Sequence, residues 1–270
     1  MLHWFTFFAA NWSGLSRDVK VVLVLCLIAG LYSLAAISYQ FVHKRPLVHH
    51  IFLFTGAVAF GVGVALMGQI YNSHADSYLL FLIWLIPVLI LSVLTRHQLL
   101  YVLSYILFHL MVFFYLTPTV VAIFRTEGEI VLILLSVACV NAGLFLASRN
   151  LLFRSPVLHY SSIVVFHVIW LVLTWKGNFE AFTLVLNIAY LLLFIALLYW
   201  FIKVVQKQVY VVLTAIALAV YGSLWMIRWM SEHFSELFLF YVLAFVGLLV
   251  AGNIVLIRLL RKKFKLLKKR

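Results

Sequence analysis

The chain is a succession of long apolar runs separated by short polar clusters. The runs predict nine full spans, at about residues 20–42, 51–71, 78–94, 99–117, 129–148, 157–175, 181–202, 209–230 and 237–260. Most approach the ~20 residues with which an α-helix crosses a hydrocarbon core ~30 Å thick. Ahead of them, MLHWFTFFAANW supplies about ten apolar residues before Asn11, half a span. The expected fold is therefore all-α: a polytopic transmembrane helical bundle of about nine full spans plus a short N-terminal hydrophobic segment. Residues 1–260 are expected to form a single transmembrane domain and residues 261–270 a basic cytoplasmic tail. Pro46 and Pro156 fall at helix entries, Pro118 at a helix end, and Pro87 inside the third span, where it predicts a kink.

One run differs from the others. IFLFTGAVAFGVGVALMGQIYNSHAD, from Ile51 to Asp76, is built from small residues where its neighbours use Leu and Phe. Ala57 and Gly61, Ala59 and Gly63, and Gly61 and Ala65 are each four apart, so each pair lies on one side of a helix. Such stripes let a second backbone approach closely, which makes this run the expected central packing helix. It then ends in polar groups: Gln69, Tyr71, Asn72, Ser73, His74 and Asp76.

Composition changes the picture in one respect: it removes water as the solvent. With 67% hydrophobic and 10% charged residues and a mean hydropathy of +1.17, the chain is far from the ~25% charged residues of soluble domains. A net charge of +13 would suggest nucleic acid in a soluble protein. Here it reads as a topology signal, because Lys and Arg in short loops orient membrane helices. Counted from the first full span, alternate loops and the tail hold Lys44, Arg45, Arg96, Arg149, Arg154, Lys203, Lys207 and eight more from Arg258 onward, 15 of the 20 basic residues. The opposite side holds five, with all seven acids: Asp18, Asp76, Glu127, Glu129, Glu180, Glu232 and Glu236. The first side is assigned to the cytoplasm, with the C-terminus, in an inner (plasma) membrane. The N-terminus lacks the basic start and small-residue cleavage site of a signal peptide. Cys26 and Cys139 fall inside apolar spans and are expected to pack as small hydrophobes, without a disulfide or a metal cluster.

That topology brings three polar clusters to the outer face: Asn11 with Trp12, the Gln69–Tyr71 exit with His74 and Asp76, and Arg125 with Glu127 and Glu129. One reading is a shallow outer binding site, with Asp76 as its charge, a cation such as Arg17 as partner, and Gln69 and Tyr71 as walls. The other is interfacial anchoring, which suits Trp and Tyr at headgroup level. Within the spans lie His109, Asn141, His167, Asn187 and Asn253. Intramembrane polar residues are functional candidates by default, yet they also bond across helices as packing. Five further histidines, His43, His49, His50, His97 and His159, gather on the cytoplasmic side. His49 and His50 are adjacent and point about 100° apart on a helix, and no HExxH spacing occurs, so no metal is expected. No GxSxG, phosphate loop or GxGxxG is present, so no catalytic residue and no cofactor is assigned.

The tail RLLRKKFKLLKKR interleaves basic residues with Leu and Phe. It reads as a stop-transfer cap and as an amphipathic extension on anionic inner-leaflet lipid. The lipid bilayer is thus one partner and a second membrane protein another; nucleic acid is not.

Ala9–Trp12 (AANW), the loop and span after it, and then G-x-G-x-x-L-x-G-Q-I-Y with Asp76 shortly after resemble a bacterial family. It is the family of predicted multi-pass membrane proteins catalogued as domain of unknown function 2157, and the resemblance covers about residues 8–96. In that family AANW ends a complete first helix, whereas here eight residues precede Ala9; the resemblance implies a truncated start. It implies no established activity, and it directs attention to Asn11, Trp12, Gln69, Tyr71 and Asp76. Two functions are consistent with all of this: a non-enzymatic accessory or sensing component of the bacterial cell envelope, or a transporter or channel for a small solute or lipid. An intramembrane enzyme is a weaker third.

Overall fold

The structure is a computed structural model. It describes residues 14–41, 46–70, 78–117, 126–148, 155–175 and 180–233, with helical residues at 240, 243–244, 246–247, 250–252, 254 and 258. Eight α-helices follow one another: α1 Arg17–Phe41, α2 Pro46–Ile70, α3 Tyr78–Thr95, α4 Gln98–Leu116, α5 Glu127–Ala147, α6 Pro156–Thr174, α7 Thr183–Trp200 and α8 Gln208–His233. All eight are long and apolar enough to cross a membrane. The helical residues between 240 and 258 belong to the ninth predicted span. Among the described residues there is no strand. The protein is an all-α polytopic membrane protein.

Local chemistry explains the helix ends. Ser16 Oγ accepts the Val19 N–H at 3.4 Å, and Asp18 sits in the first turn of α1, where the helix dipole favours an acid. At α5, Thr126 Oγ1 accepts the Glu129 N–H (3.3 Å) while a Glu129 carboxylate oxygen accepts the Thr126 N–H (3.2 Å), a reciprocal capping box. Ser155 Oγ accepts the Leu158 N–H at 3.2 Å, and Pro156 occupies the first helical position, where its missing N–H costs nothing. Pro87 lies inside α3. Two tight connections use left-handed, non-glycine residues. Arg96 (φ 52°) lies between α3 and α4, its N–H reaching the Ser92 carbonyl at 2.9 Å. Gln206 (φ 52°) follows a π-helical turn, Phe201–Val205, that extends α7.

Two compact units emerge: residues 1–124 with 148–158, and residues 125–147 with 159–270. In the first, α2 packs against both α1 and α3, and α3 against α4. Its core joins Ala35, Leu53, Ala57, Leu85, Val88, Leu100 and Leu107. In the second, α7 with its π-turn packs on α8. Large aliphatic residues such as Val22, Leu25, Ile83, Ile86 and Ile90 remain exposed on the helix surfaces. Hydrocarbon solvates such groups without penalty, and the backbone polar groups beneath them are satisfied within the helices. Cys26 and Cys139, expected to pack inside, are both on exposed helix faces. In lipid a thiol gains no more from protein contact than from an acyl chain, so burial is not driven.

Candidate functional site

Of the outer cluster, Gln69 is exposed in the last turn of α2 and Arg17 is exposed in the first turn of α1. Asn11, Trp12, Tyr71, His74 and Asp76 lie outside the described residues, as do Arg125 and, within the ninth span, Asn253. Glu129, from the third outer cluster, is occupied as a cap of α5.

The small residues of α2 divide between two neighbours. Gly61 is buried, and a Cβ built on it would overlap the Trp84 indole of α3. Trp84 Nε1–H donates to the Ala57 carbonyl at 2.9 Å, so the indole lies across α2 where no side chain obstructs it. A Cβ on Gly63 would instead meet Val24 Cγ1 of α1 at 2.8 Å, and one on Gly56 would meet the Tyr32 ring at 3.3 Å. Ala57 is fully buried; Ala59 and Ala65 are half-buried.

At the Arg96 end of the first unit, three of the five grouped histidines meet. His50 and His97 stack with ring centroids 4.0 Å apart and planes 13° from parallel. His49 lies 5.1 Å from His50 and 5.2 Å from the Tyr39 ring of α1. One His49 nitrogen, Nδ1, is 2.8 Å from the Ala35 carbonyl, so it carries the proton and donates. His97 Nδ1 is buried with no hydrogen-bond partner among the described residues. Burial, and then the charges of His50 and His49, push His97 below the ordinary imidazole range. His43 lies outside the described residues, and His159 belongs to the other unit.

The second unit has a polar seam. On α6, His159, His167, Trp170 and Thr174 recur at helical spacing on one face, and all are buried. His159 bonds the Phe145 carbonyl of α5 through Nδ1 (3.0 Å) and the Tyr210 hydroxyl of α8 through Nε2. A turn or two along, His167 Nδ1 is 3.3 Å from the Tyr190 hydroxyl of α7, and Trp170 stacks on the Tyr190 ring. Tyr221 of α8 donates its hydroxyl to Asn187 Oδ1 at 2.5 Å, and Asn187 Nδ2 donates to the Thr183 carbonyl (2.7 Å) and the Thr174 carbonyl (3.4 Å). His167 Nε2, Trp170 Nε1 and Thr214 Oγ1 are buried with no hydrogen-bond partner among the described residues. Sequence reading singled out His167 and Asn187 and missed Tyr190, Tyr210 and Tyr221. Their spacing on α7 and α8 was the available signal, but tyrosine in a membrane span is ordinarily read as an interfacial anchor.

The other intramembrane candidates bond within their own helices. His109 Nδ1 meets the Tyr105 carbonyl at 2.8 Å, and Asn141, fully buried, donates to the Val137 carbonyl at 2.9 Å. A groove of about 240 Å³ in the second unit is lined only by apolar side chains, among them Phe145, Ile163, Phe166, Leu197 and Trp200. Among the described residues no group of three His, Cys, Asp or Glu is placed to hold a metal ion.

No curated protein and no solved structure matches the chain. Residues 4–101, which contain α1, α2 and α3, match the model of the family described as Predicted membrane protein (DUF2157), the family that the AANW and GQIY segments resemble.

Proposed function

We propose that the protein is a non-enzymatic accessory or sensing component of a bacterial cell envelope, set in the inner membrane with its C-terminus in the cytoplasm. The observation that carries this reading is the cross-helix bonding of the second unit. His159 with Tyr210, His167 with Tyr190, and Asn187 with Tyr221 spend their polar groups on one another. Polar side chains in that arrangement hold helices together and leave little to line an aqueous path. The orientation rests on the basic residues, 15 of 20 on one side.

Gentle detergent extraction followed by affinity capture is the test. Recovery of a stoichiometric membrane-protein partner supports the reading. A monomer without partner that passes small solutes across proteoliposomes overturns it in favour of transport. One observation favours that second reading: His167 Nε2, Trp170 Nε1 and Thr214 Oγ1 are polar atoms buried in the same unit with bonding capacity unused.

A further inference from the structure

The groove of the second unit takes its walls from three helices: Ala142 and Leu146 of α5, Ile163 and Phe166 of α6, and Leu197 and Trp200 of α7. No polar side chain is among them, and Leu146 is exposed at the mouth. The helix ends give its depth. Leu146 is one residue from the end of α5, and Trp200 is the last residue of α7. Phe166 is ten residues past Pro156, which is roughly 15 Å along the axis of α6. The groove therefore runs from the level of the helix ends to about the middle of a hydrocarbon core ~30 Å thick, the depth of one leaflet. Water does not fill such a space: an apolar cavity of about 150 Å³ stays dry and takes up benzene. This groove is larger, about 240 Å³, and a wall without neighbours forfeits its dispersion contacts. The apolar filler that a bilayer offers is an acyl chain.

The charges at the helix-end side select the lipid. Lys203 lies on the π-turn, three residues beyond Trp200, and Lys207 comes just before α8; both are exposed. The sequence holds no Asp or Glu between Glu129 and Glu180, or between Glu180 and Glu232. A lysine stem lies along apolar surface while its ammonium stays at headgroup level, where it attracts anionic lipid. Tryptophan, as at Trp200, settles at that same boundary. We propose that the groove binds one acyl chain of an anionic phospholipid, whose headgroup lies at the level of Lys203 and Lys207. The acyl chain enters beside Leu146 and Trp200 and runs toward Phe166. Shape selects the tail and charge selects the headgroup. This site does not depend on the accessory role proposed above, and either can fail without the other.

The test places the full-length protein in phosphatidylcholine nanodiscs with a trace of lipid carrying a photoreactive group midway along one acyl chain. The probe is phosphatidylglycerol in one arm and phosphatidylcholine in the other, and cross-linked residues are identified by peptide mass spectrometry. The expected result is labelling of Leu146, Ile163 and Leu197 above that of Val164 and Ile195, which are exposed on the same helices at the same depth. The phosphatidylglycerol probe should label the groove about fivefold or more over the other, the preference that one lysine near the surface supplies. Lys203→Gln together with Lys207→Gln should bring the two probes level. Ala142→Phe, and separately Leu146→Trp at the exposed mouth, should lose the groove labelling while Val164 and Ile195 keep theirs; an unchanged unfolding midpoint shows that each variant is folded. Equal labelling of the groove and the exposed faces overturns the proposal, since the groove is then ordinary bilayer contact. Labelled faces with an unlabelled groove also overturn it, and assign the groove to protein, either the ninth span or a second copy. Equal labelling by the two probes, or a preference that survives loss of both lysines, overturns it as a site for anionic lipid.

Discussion

Trp84 donates its indole N–H to the carbonyl of Ala57, 2.9 Å away, across the bare Cα of Gly61. That carbonyl already belongs to the backbone ladder of α2, and only a residue without a side chain lets the indole reach it. Gly61→Ala should therefore destabilise the protein by about 1–3 kcal/mol, the ordinary cost of overpacking. Gly61→Leu should abolish folded yield in detergent, while Val58→Leu, at a half-buried position, should be tolerated. Gly63→Ala should fall between them, because it meets the ends of the Val24 and Ile28 side chains, which can turn aside. Thermal unfolding of the four variants checks the order; equal midpoints would remove α2 from its central place.

Gly30 supplies the contrast. A Cβ there meets nothing within 4 Å, so Gly30→Ala should gain helix propensity, roughly 0.5–1 kcal/mol, at no steric cost. A raised unfolding temperature is the expected reading.

The seam of the second unit is testable by pairs. Tyr221→Phe leaves Asn187 Oδ1 without its hydroxyl donor, and Asn187→Ala takes the acceptor from the Tyr221 hydroxyl. A double-mutant cycle on unfolding in mixed micelles should return a coupling of about 0.6 kcal/mol and no more than about 1.7, as measured for hydrogen bonds in a bilayer. Tyr210→Phe, which strips His159 of a buried partner, should cost more than Tyr160→Phe, whose ring is 42% exposed.

His97 gives a pH dependence of defined sign. Its folded-state pKa lies below the ordinary imidazole value, first through burial and then through His50 and His49. Between that depressed value and about 6.5 the unfolded chain binds more protons than the folded one. Stability in neutral detergent should therefore be flat above about pH 6.5 and fall as the pH drops below it. His97→Phe should make that fall shallower, read by unfolding midpoints from pH 8 to pH 5. Persistence of the full pH dependence in the variant would place its source elsewhere.

At α5, Thr126→Ala should cost about 0.5–2 kcal/mol by opening the capping box, whereas Glu129→Gln should keep most of it. Comparing the two by unfolding separates the hydrogen bond from the charge.

The spans were legible because length and apolarity alone specify a membrane helix; α2, expected at 51–71, runs from Pro46 to Ile70. Which face of a span meets protein was not legible. In α3, Leu85 is buried and Ile86 exposed, though both are aliphatic. In water such neighbours differ in kind, because one meets solvent; in lipid both are apolar and periodicity fades. Glycine betrayed the close approach at Gly61, but nothing in the pattern named Trp84 as what fills it. The polar groups inside the spans stood out at His167 and Asn187, since cost makes them rare. Their tyrosine partners did not, because a phenol is equally at home at the interface. The five histidines were counted together on one side, and the turn at Arg96 decided which of them touch.

That turn has a further consequence, for how the chain is made. Only Arg96 and His97 separate the end of α3 at Thr95 from the start of α4 at Gln98. An 18-residue helix and a 19-residue helix, each about 27–29 Å long, are thus tethered too closely to move far apart. Their pairing therefore closes almost no loop, and the chain entropy spent on bringing the two helices together in the bilayer is small. The Gly61 side of α2 packs on α3 of this hairpin, where the Trp84 indole reaches the Ala57 carbonyl.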